Sequence, residues 1–318
     1  MGGPEKMYLG KQIAVVVPAH NEESFIGQVI ASVPAFVDLI VVVDDASSDA
    51  TAQRVREAAD ERVVLLVNDE NVGVGGSVIR GYRRALESGY DVVVKVDGDG
   101  QMPLHRLQDL LQPIMEDGYD YAKGNRFHGH TAALEPMPWL RVASNLASTF
   151  LTKLASGYWH LVDPQNGFTA ISAGCLETID LDRLHRRYFF ENDMLVQLNI
   201  RGARVKDVPM PAVYGKEESN MGTATVILTF PVLFFRRFLH RVHQKYVLRE
   251  LSPIALFLGI GSLLLLWGGG FGLYLWIRSS LAVGQSSTAA VLLAVLPLVL
   301  GFQLVLQALV LDIQETPR

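Results

Sequence analysis

Val92-Val-Val-Lys-Val-Asp-Gly-Asp-Gly100 is a short run rich in β-branched residues that stops abruptly at two carboxylates separated by one glycine. Three earlier runs have the same apolar, β-branched form, at Ile13–Val17, Leu39–Val43 and Val63–Val67. Amphipathic stretches follow the four runs, at about Glu23–Val33, Thr51–Ala59, Gly75–Ser88 and Leu104–Asp117. Continuous Val/Ile runs, unlike alternating ones, suit parallel strands covered by helices on both faces. The repeated strand–loop–helix order predicts a doubly wound α/β architecture, which binds ligands at the carboxyl edge of its sheet. Polar residues crowd at that edge: Pro18-Ala-His-Asn-Glu-Glu23, Asp44-Asp-Ala-Ser-Ser-Asp49 and Asp97-Gly-Asp99. Further along, Trp139–Ser156 and Glu191–Arg201 read as helices, the second ended by Gly202, and Val205–Val208 as a strand.

The chain has 318 residues, of which 49% are hydrophobic and 19% charged, and its mean hydropathy is +0.23. Disorder, a collagen-like fibre and a disulfide scaffold are excluded by that composition. The apolar excess is concentrated near the end. Leu251–Ile277 and Leu281–Leu311 contain no Asp, Glu, Lys or Arg, and each exceeds the roughly 20 residues that a helix needs to cross a bilayer. Four parts are expected: a globular domain over 1–218, a neck over 219–250, a two-helix hairpin within 251–311 (spans about 251–277 and 287–311), and a tail at 312–318.

Charge follows the same division. The neck carries Arg236, Arg237, Arg241, Lys245 and Arg249 against Glu250, a balance of +4, and the residues after it sum to zero. With −5 for the whole chain, the part up to Glu218 holds −9. An acidic domain on a basic neck does not suit nucleic acid. Basic residues beside a span point to the cytoplasmic face and its anionic lipid. Phe234-Phe-Arg-Arg-Phe-Leu-His-Arg241 reads as part of an amphipathic helix at the membrane interface, or else as a helix packed on the globular domain. Met1–Lys11 lacks the apolar core of a signal peptide, and the single cysteine, Cys175, suits a reducing compartment. The expectation is therefore an integral membrane protein whose globular domain is cytoplasmic.

Asp97 and Asp99 are suited to a hard divalent cation such as Mg²⁺ or Mn²⁺, which takes one or two carboxylates together with substrate phosphates. Gly98 and Gly100 would let phosphate and metal approach the backbone. A solvated Asp-Gly turn is the bland alternative. The additional carboxylates Glu22, Asp44 and Asp45 on the same rim argue against it, because like charges so gathered call for a compensating cation or donor groups. Gly73-Val-Gly-Gly76 opens a helix after a strand, yet Val78 stands where a dinucleotide fingerprint has its third glycine. It is read as a close-packing helix start. In the first span, Gly268-Gly-Gly270 is read as a helix–helix contact that could also serve self-association into a homo-oligomer.

Four stretches carry a resemblance: Val15-Val-Val-Pro-Ala-His-Asn-Glu-Glu23, Val41-Val-Val-Asp-Asp-Ala-Ser-Ser-Asp-Ala-Thr51, Asn71-Val-Gly-Val-Gly-Gly76 and Val96-Asp-Gly-Asp-Gly-Gln101. In order and spacing they resemble family 2 glycosyltransferases of the GT-A fold, over about residues 12–215. With its basic neck and hairpin the chain is similar to the polyprenyl-phosphate (dolichol-phosphate mannose) group of that family. The resemblance implies an inverting transfer of a sugar from a nucleotide-sugar donor, of GDP-mannose or UDP-hexose type, to a polyprenyl or dolichyl phosphate at the cytoplasmic face. It implies that Pro18, Ala19, Asn21, Glu22, Asp44 and Asp45 hold the nucleoside, with Gly98 and Gln101 beside it. Asp97 and Asp99 would bind Mg²⁺ or Mn²⁺, Arg126 would lie near the transferring phosphates, and Arg141 and Ser144 would contact the acceptor's phosphate. Asp193 falls where members with hydroxyl acceptors place a base, and for a phosphate acceptor it would only orient. Two departures stand out. Ala212-Val-Tyr-Gly-Lys216 lacks the usual basic residue before its Tyr-Gly, a charge that Lys216 or Arg237 would have to supply, and Thr169 stands where an arginine often follows Phe168.

Rival readings are a family 2 transferase acting on a hydroxyl, as in polysaccharide or glycolipid synthesis, and a non-catalytic membrane adaptor. The first often carries a Gln-x-x-Arg-Trp motif that this sequence lacks, and the second would be expected to have lost one acidic cluster.

Overall fold

A computed structural model describes residues 8–127, 139–211, 223–281 and 286–317, with the helix starts 139–145 and 223–228 described through their backbone only. The strands are β1 (Ile13–Ala19), β2 (Leu39–Asp44), β3 (Val63–Val67), β4 (Val92–Lys95), β5 (Tyr121–Asn125), β6 (Thr169–Ser172) and β7 (Val205–Pro209). The helices of the same region are α1 (Ile26–Ser32), α2 (Thr51–Glu57), α3 (Val74–Glu87), α4 (Leu107–Met115), α5 (Trp139–Ser156), α6 (Ala173–Glu177) and α7 (Phe190–Arg201). They are followed by α8 (Thr223–Val242), α9 (Pro253–Ser280) and α10 (Thr288–Gln314).

The strands form one sheet in the order β3-β2-β1-β4-β6-β5-β7. The four valine-rich runs are its parallel half, as expected from their unbroken apolar character. The other half departs from that expectation. Strand β6 runs antiparallel to both β4 and β5, so the sheet is mixed, while β7 is parallel to β5. The Tyr121–Asn125 and Thr169–Ser172 strands give weak sequence signals because they are short and carry Lys123, Asn125 and Thr169 instead of aliphatic runs.

Alternate strand residues face opposite helical layers. Val16, Val41 and Val93 pack with Tyr82, Phe190 and Met194 of α3 and α7. Val15, Val42 and Val94 pack with Ile26, Ile30, Leu107 and Leu111 on the α1/α4 side. Gly81 lets α3 lie close on β1, since a Cβ there would fall 2.2 Å from Val16 Cγ1. Gly202 ends α7 in the left-handed region at φ 76°.

Two compact units emerge, residues 1–237 with 317–318, and residues 238–316. In the first, Phe230 and Phe234 of α8 pack edge-on against Phe189, with ring centroids 5.4 and 4.9 Å away. This stretch of α8 is thus partly a packed helix, the blander of the two readings, while Val232, Phe235 and Arg236 remain exposed. In the second unit a π-helical turn, His243–Arg249, precedes α9. Ser252 caps α9 by accepting from the Ile254 amide, with Pro253 in the first turn. Both α9 and α10 are long and apolar enough to cross a membrane. They meet where small residues allow: a Cβ on Gly301 would lie 2.8 Å from the Gly261 carbonyl oxygen, and one on Gly268 would lie 2.7 Å from that of Ala294. Of the Gly268–Gly270 run, only Gly268 makes the close contact expected of it.

Candidate active site

The carboxyl ends of β1, β2 and β4 lie side by side, so the polar clusters that follow them meet. Gly98 is the hinge of that meeting. A Cβ there would be 3.2 Å from the Pro18 carbonyl oxygen, 3.3 Å from Glu22 Cγ and 3.4 Å from Ala19 Cβ. Asn21 adopts φ 58° and accepts from the Ser48 amide at 2.8 Å, which ties the first cluster to the second. Asp44 and Asp45 are both buried. Asp44 accepts from the Ser47 amide. Asp45 spends both oxygens internally, on the Asn68 side chain at 2.7 Å and on the Val72 and Gly73 amides at 2.9 and 2.8 Å. Its carboxylate shapes the loop that leads into α3.

A cleft opens in front of Gly98. It is lined by Asp97, Asp99, Gln101, Arg126 and the Gln165–Phe168 loop, with Met102, Pro103, Met210 and Pro211 completing its walls. The predicted metal ligands, the glutamine beyond them and the predicted phosphate arginine therefore share one cavity. Asp99 Oδ1 accepts from the Gln101 amide at 2.9 Å, which closes the turn after β4. Pro18, Ala19, Asn21, Glu22, Asp44 and Asp45 do not line this cleft. They form the neighbouring rim behind Gly98.

Arg126, half exposed at the end of β5, grips the buried Asp163 with two parallel bonds, Nε to Oδ2 at 2.8 Å and Nη2 to Oδ1 at 3.1 Å. The planar fork suits such two-pronged pairing and fixes the guanidinium plane. Beneath the cleft lie two buried lysines in one row of the sheet, since Lys95 on β4 and Lys123 on β5 both register with Thr169 of β6. Lys123 donates to the Asn166 carbonyl. Burial lowers its ammonium to about 8, although Asp163, Glu191 and Asp207 work the other way. Lys95 lies 2.6 Å from Asp97 Oδ1 and 2.9 Å from Glu191 Oε1. Burial disfavours its charge, but the two carboxylates outweigh that and hold it above the ordinary lysine range.

Asp193 and Arg237 lie away from the cleft lining. Asp193 is fully buried, and its Oδ2 accepts from Arg237 Nη2 at 2.5 Å and from the His185 amide at 2.8 Å. Arg237 Nη2 also donates to the Arg183 carbonyl at 3.1 Å, and Arg237 is not among the residues that line the cleft. Burial pushes the Asp193 carboxyl up to about 6 against the pull of Arg237. Arg141 and Ser144 lie on α5, whose backbone alone is described there, and Lys216 lies outside the described residues. Sequence reasoning missed Lys95, Glu191, Lys123 and Asp163. The signal for Lys95 was present: a lysine inside a valine strand must find a buried counter-charge. Cys175 is buried, with its thiol pushed up to about 12, and the inert reading of it fits.

No group of three or more His, Cys, Asp or Glu side chains able to hold a metal occurs among the described residues. The donor set offered by the cleft is two hard carboxylates. That fits Mg²⁺ or Mn²⁺ completed by phosphate and water better than a metal that calls for thiolate or imidazole ligands.

Residues 14–179 match the family described as "Glycosyl transferase family 2". The chain is 28% identical to a UDP-N-acetylglucosamine–dolichyl-phosphate N-acetylglucosaminyltransferase of Methanococcus voltae, covering 70% of this chain and 94% of that protein. It is 32% identical to an undecaprenyl-phosphate mannosyltransferase of Micrococcus luteus, over 64% of this chain and 84% of that one. Among solved structures it is similar to glucosyl-3-phosphoglycerate synthase from Mycobacterium tuberculosis, crystallised with Mn²⁺, UDP-glucose and phosphoglyceric acid. The TM-score is 0.54 at 23% identity, with 73% of this chain and 80% of that one covered. A mixed seven-stranded sheet with a carboxylate-lined cleft at the carboxyl end of β4, and a family match that runs from β1 through β6 and includes the Asp97-Gly-Asp99 turn, lead to one assignment: the chain belongs to glycosyltransferase family 2.

Proposed function

We propose that this chain is a membrane-anchored, inverting glycosyltransferase that moves a hexose from a nucleotide-sugar to a polyprenyl or dolichyl phosphate. The observation that carries the reading is the cleft that joins Asp97 and Asp99 to Arg126, in a chain that continues into a hairpin long enough to cross a bilayer. The names of its relatives support the acceptor class, since two of them act on isoprenoid phosphates.

Asp97 and Asp99 would hold Mg²⁺ or Mn²⁺. When bound, the ion stabilises the charge of the departing nucleoside diphosphate, a contribution of several kcal/mol to the barrier. Pro18, Ala19, Asn21, Glu22 and Asp44 would seat the nucleoside on the rim behind Gly98, and Gln101 would border the sugar. Arg126, aimed by Asp163, orients phosphate oxygens in the cleft. Arg141 and Ser144 of α5 are proposed to take the acceptor's phosphate, with Lys216 as a further cation. A lipid phosphate is already an anion and attacks the anomeric carbon without a general base. The turning of Asp193 toward Arg237 supports that acceptor over a hydroxyl, which would need a base in the cleft. The neck over 219–250 and the hairpin would hold the domain at the cytoplasmic face, with the tail after α10 on the same side.

The test is transfer by the purified full chain from a panel of labelled GDP- and UDP-sugars to a short polyprenyl phosphate. Label extracted into organic solvent with one donor is the expected result. Water-soluble polymer, or product on a hydroxyl lipid only, would replace this reading with the hydroxyl-acceptor one, and no turnover with any donor would leave the adaptor.

A further inference from the structure

The cleft is built on a buried charge relay that the motif does not require. Lys95 is almost fully enclosed, and its ammonium bridges Asp97 Oδ1 at 2.6 Å and Glu191 Oε1 at 2.9 Å. The second oxygen of Asp97 lies against Gly167, which lines the cleft. A Cβ on Gly167 would fall 2.5 Å from Asp97 Oδ2 and 2.7 Å from Lys95 Nζ. Glu191 reaches this point because α7 is seated against the start of α3. There Gly75 leaves no room for a side chain, its Cβ position lying 2.4 Å from the His185 carbonyl and 2.8 Å from Phe190 Cβ, and the Gly76 amide donates to the Arg186 carbonyl at 2.8 Å.

We propose that Lys95 and Glu191 are positioning residues for the cation site. Lys95 pins one oxygen of Asp97 so that the other is presented to the cleft, and Glu191 fixes Lys95 and cancels its charge. The proposal rests on the reading of Asp97 and Asp99 as metal ligands. Its physical core is electrostatic. An ammonium within hydrogen-bond reach of a ligand carboxylate orients it but repels an incoming divalent cation, and the low dielectric beneath the cleft magnifies that repulsion. Glu191 restores the balance: Asp97, Lys95 and Glu191 together carry −1, so the carboxylate can be both held and attractive. A role for Glu191 in packing alone would be met equally well by glutamine, which has the same shape and can still accept from Lys95.

The test is Mn²⁺ titration of the full chain in detergent, with free Mn²⁺ read from its electron paramagnetic resonance signal, alongside the KM for Mn²⁺ and kcat of sugar transfer. E191Q is expected to raise the Mn²⁺ Kd by about 10-fold or more, within the 10–100-fold range typical when a partner of a metal ligand is removed. The KM for Mn²⁺ should rise in parallel, while kcat at saturating Mn²⁺ changes by less than the KM does. E191D keeps the charge but retracts it, and its Kd should fall between the two; it serves in place of E191Q should that variant fail to fold. Wild-type affinity in both variants, with transfer intact, overturns this inference and leaves the metal reading standing. A wild-type chain that binds no Mn²⁺ and transfers sugar without a divalent ion overturns both.

Discussion

Arg126 and Asp163 are joined by two side-chain bonds, of 2.8 and 3.1 Å, and the Arg126 amide adds a third to the same carboxylate at 3.2 Å. The pair links the end of β5 to the Gln165–Phe168 loop that forms the opposite wall of the cleft. Asp163 is buried, so its charge has no role on the surface; it sets the plane of a guanidinium that is half exposed to the cleft.

Asp163→Asn keeps the shape and removes the charge, and it should lower kcat/KM for sugar transfer by roughly 10- to 100-fold, the cost of about 1.5–3 kcal/mol for a charged hydrogen bond. Arg126→Lys should not restore activity, because an ammonium cannot bridge both oxygens in one plane. Steady-state kinetics of both variants check this. Unchanged kcat/KM in Asp163→Asn would show that the orientation of Arg126 does not matter to transfer.

Removal of divalent ions by EDTA should abolish transfer, and added Mg²⁺ or Mn²⁺ should restore it. Asp97→Asn and Asp99→Asn should each cost about 100-fold or more, as expected when several kcal/mol of charge stabilisation is lost. Transfer that persists in EDTA, or in both variants, would refute the assignment of these carboxylates.

Gly167 and Gly174 make a matched pair. A methyl group on Gly167 would collide with Asp97 Oδ2 and Lys95 Nζ, whereas nothing lies within 4 Å of the same position on Gly174. Gly167→Ala should therefore reduce transfer at least tenfold with little change in melting temperature, because the displaced groups are side-chain ends at the site. Gly174→Ala should leave both unchanged. Equal activities in the two variants would mean that the close approach at Gly167 is not needed.

Much of this organisation could be read from residue patterns. The unbroken valine runs announce the parallel half of the sheet, and the acids after Val96 announce the carboxyl edge at which the cleft opens. The two long apolar helices are legible from the absence of charge over Leu251–Ile277 and Leu281–Leu311. What escaped depends on pairing across the fold. Strand β6 is four residues long, and its antiparallel direction is set by its neighbours β4 and β5. Asp163 and Glu191 are acids in segments with no strand-end signature, and they matter only because the chain brings them to Arg126 and Lys95. Asp45 and Arg237 show the converse. Both look like ligand-facing groups in sequence, and both are committed to protein partners in space.

Asp193 provides a pH signature. Its carboxyl is raised to about 6 by burial, from an ordinary value of 3.8. Between those two values the folded protein holds a proton that the unfolded chain has released, so stability falls as pH rises through that window and the loss is complete above about pH 7. A shift of this size corresponds to about 3 kcal/mol at most. Asp193→Asn does not titrate, so the melting temperature of the wild type relative to this variant should decline from pH 4 to pH 7. Thermal unfolding of both proteins in detergent at stepped pH checks it, and a difference that stays flat or grows with pH would contradict the buried, acid-stabilised carboxyl.

In the C-terminal unit, Arg241 and Asp312 form a second paired charge of a different kind. Arg241 is completely enclosed, and it donates to Asp312 Oδ1 at 2.6 Å and Oδ2 at 3.0 Å while the Tyr246 hydroxyl donates to Oδ1 at 2.6 Å. The triad ties the end of α8 and the π-helical turn to the last turns of α10. Removal of one member of a buried pair strands the other charge at a cost of about 3–5 kcal/mol, whereas replacement of both by apolar groups is often neutral. Asp312→Leu and Arg241→Met should thus each lower the melting temperature of the full chain in detergent by roughly 10 °C. The double variant should recover most of that loss, short of the share left by an unpaired Tyr246 hydroxyl. Losses that simply add in the double variant would show that the two residues act independently and that the pair does not hold the hairpin to the neck.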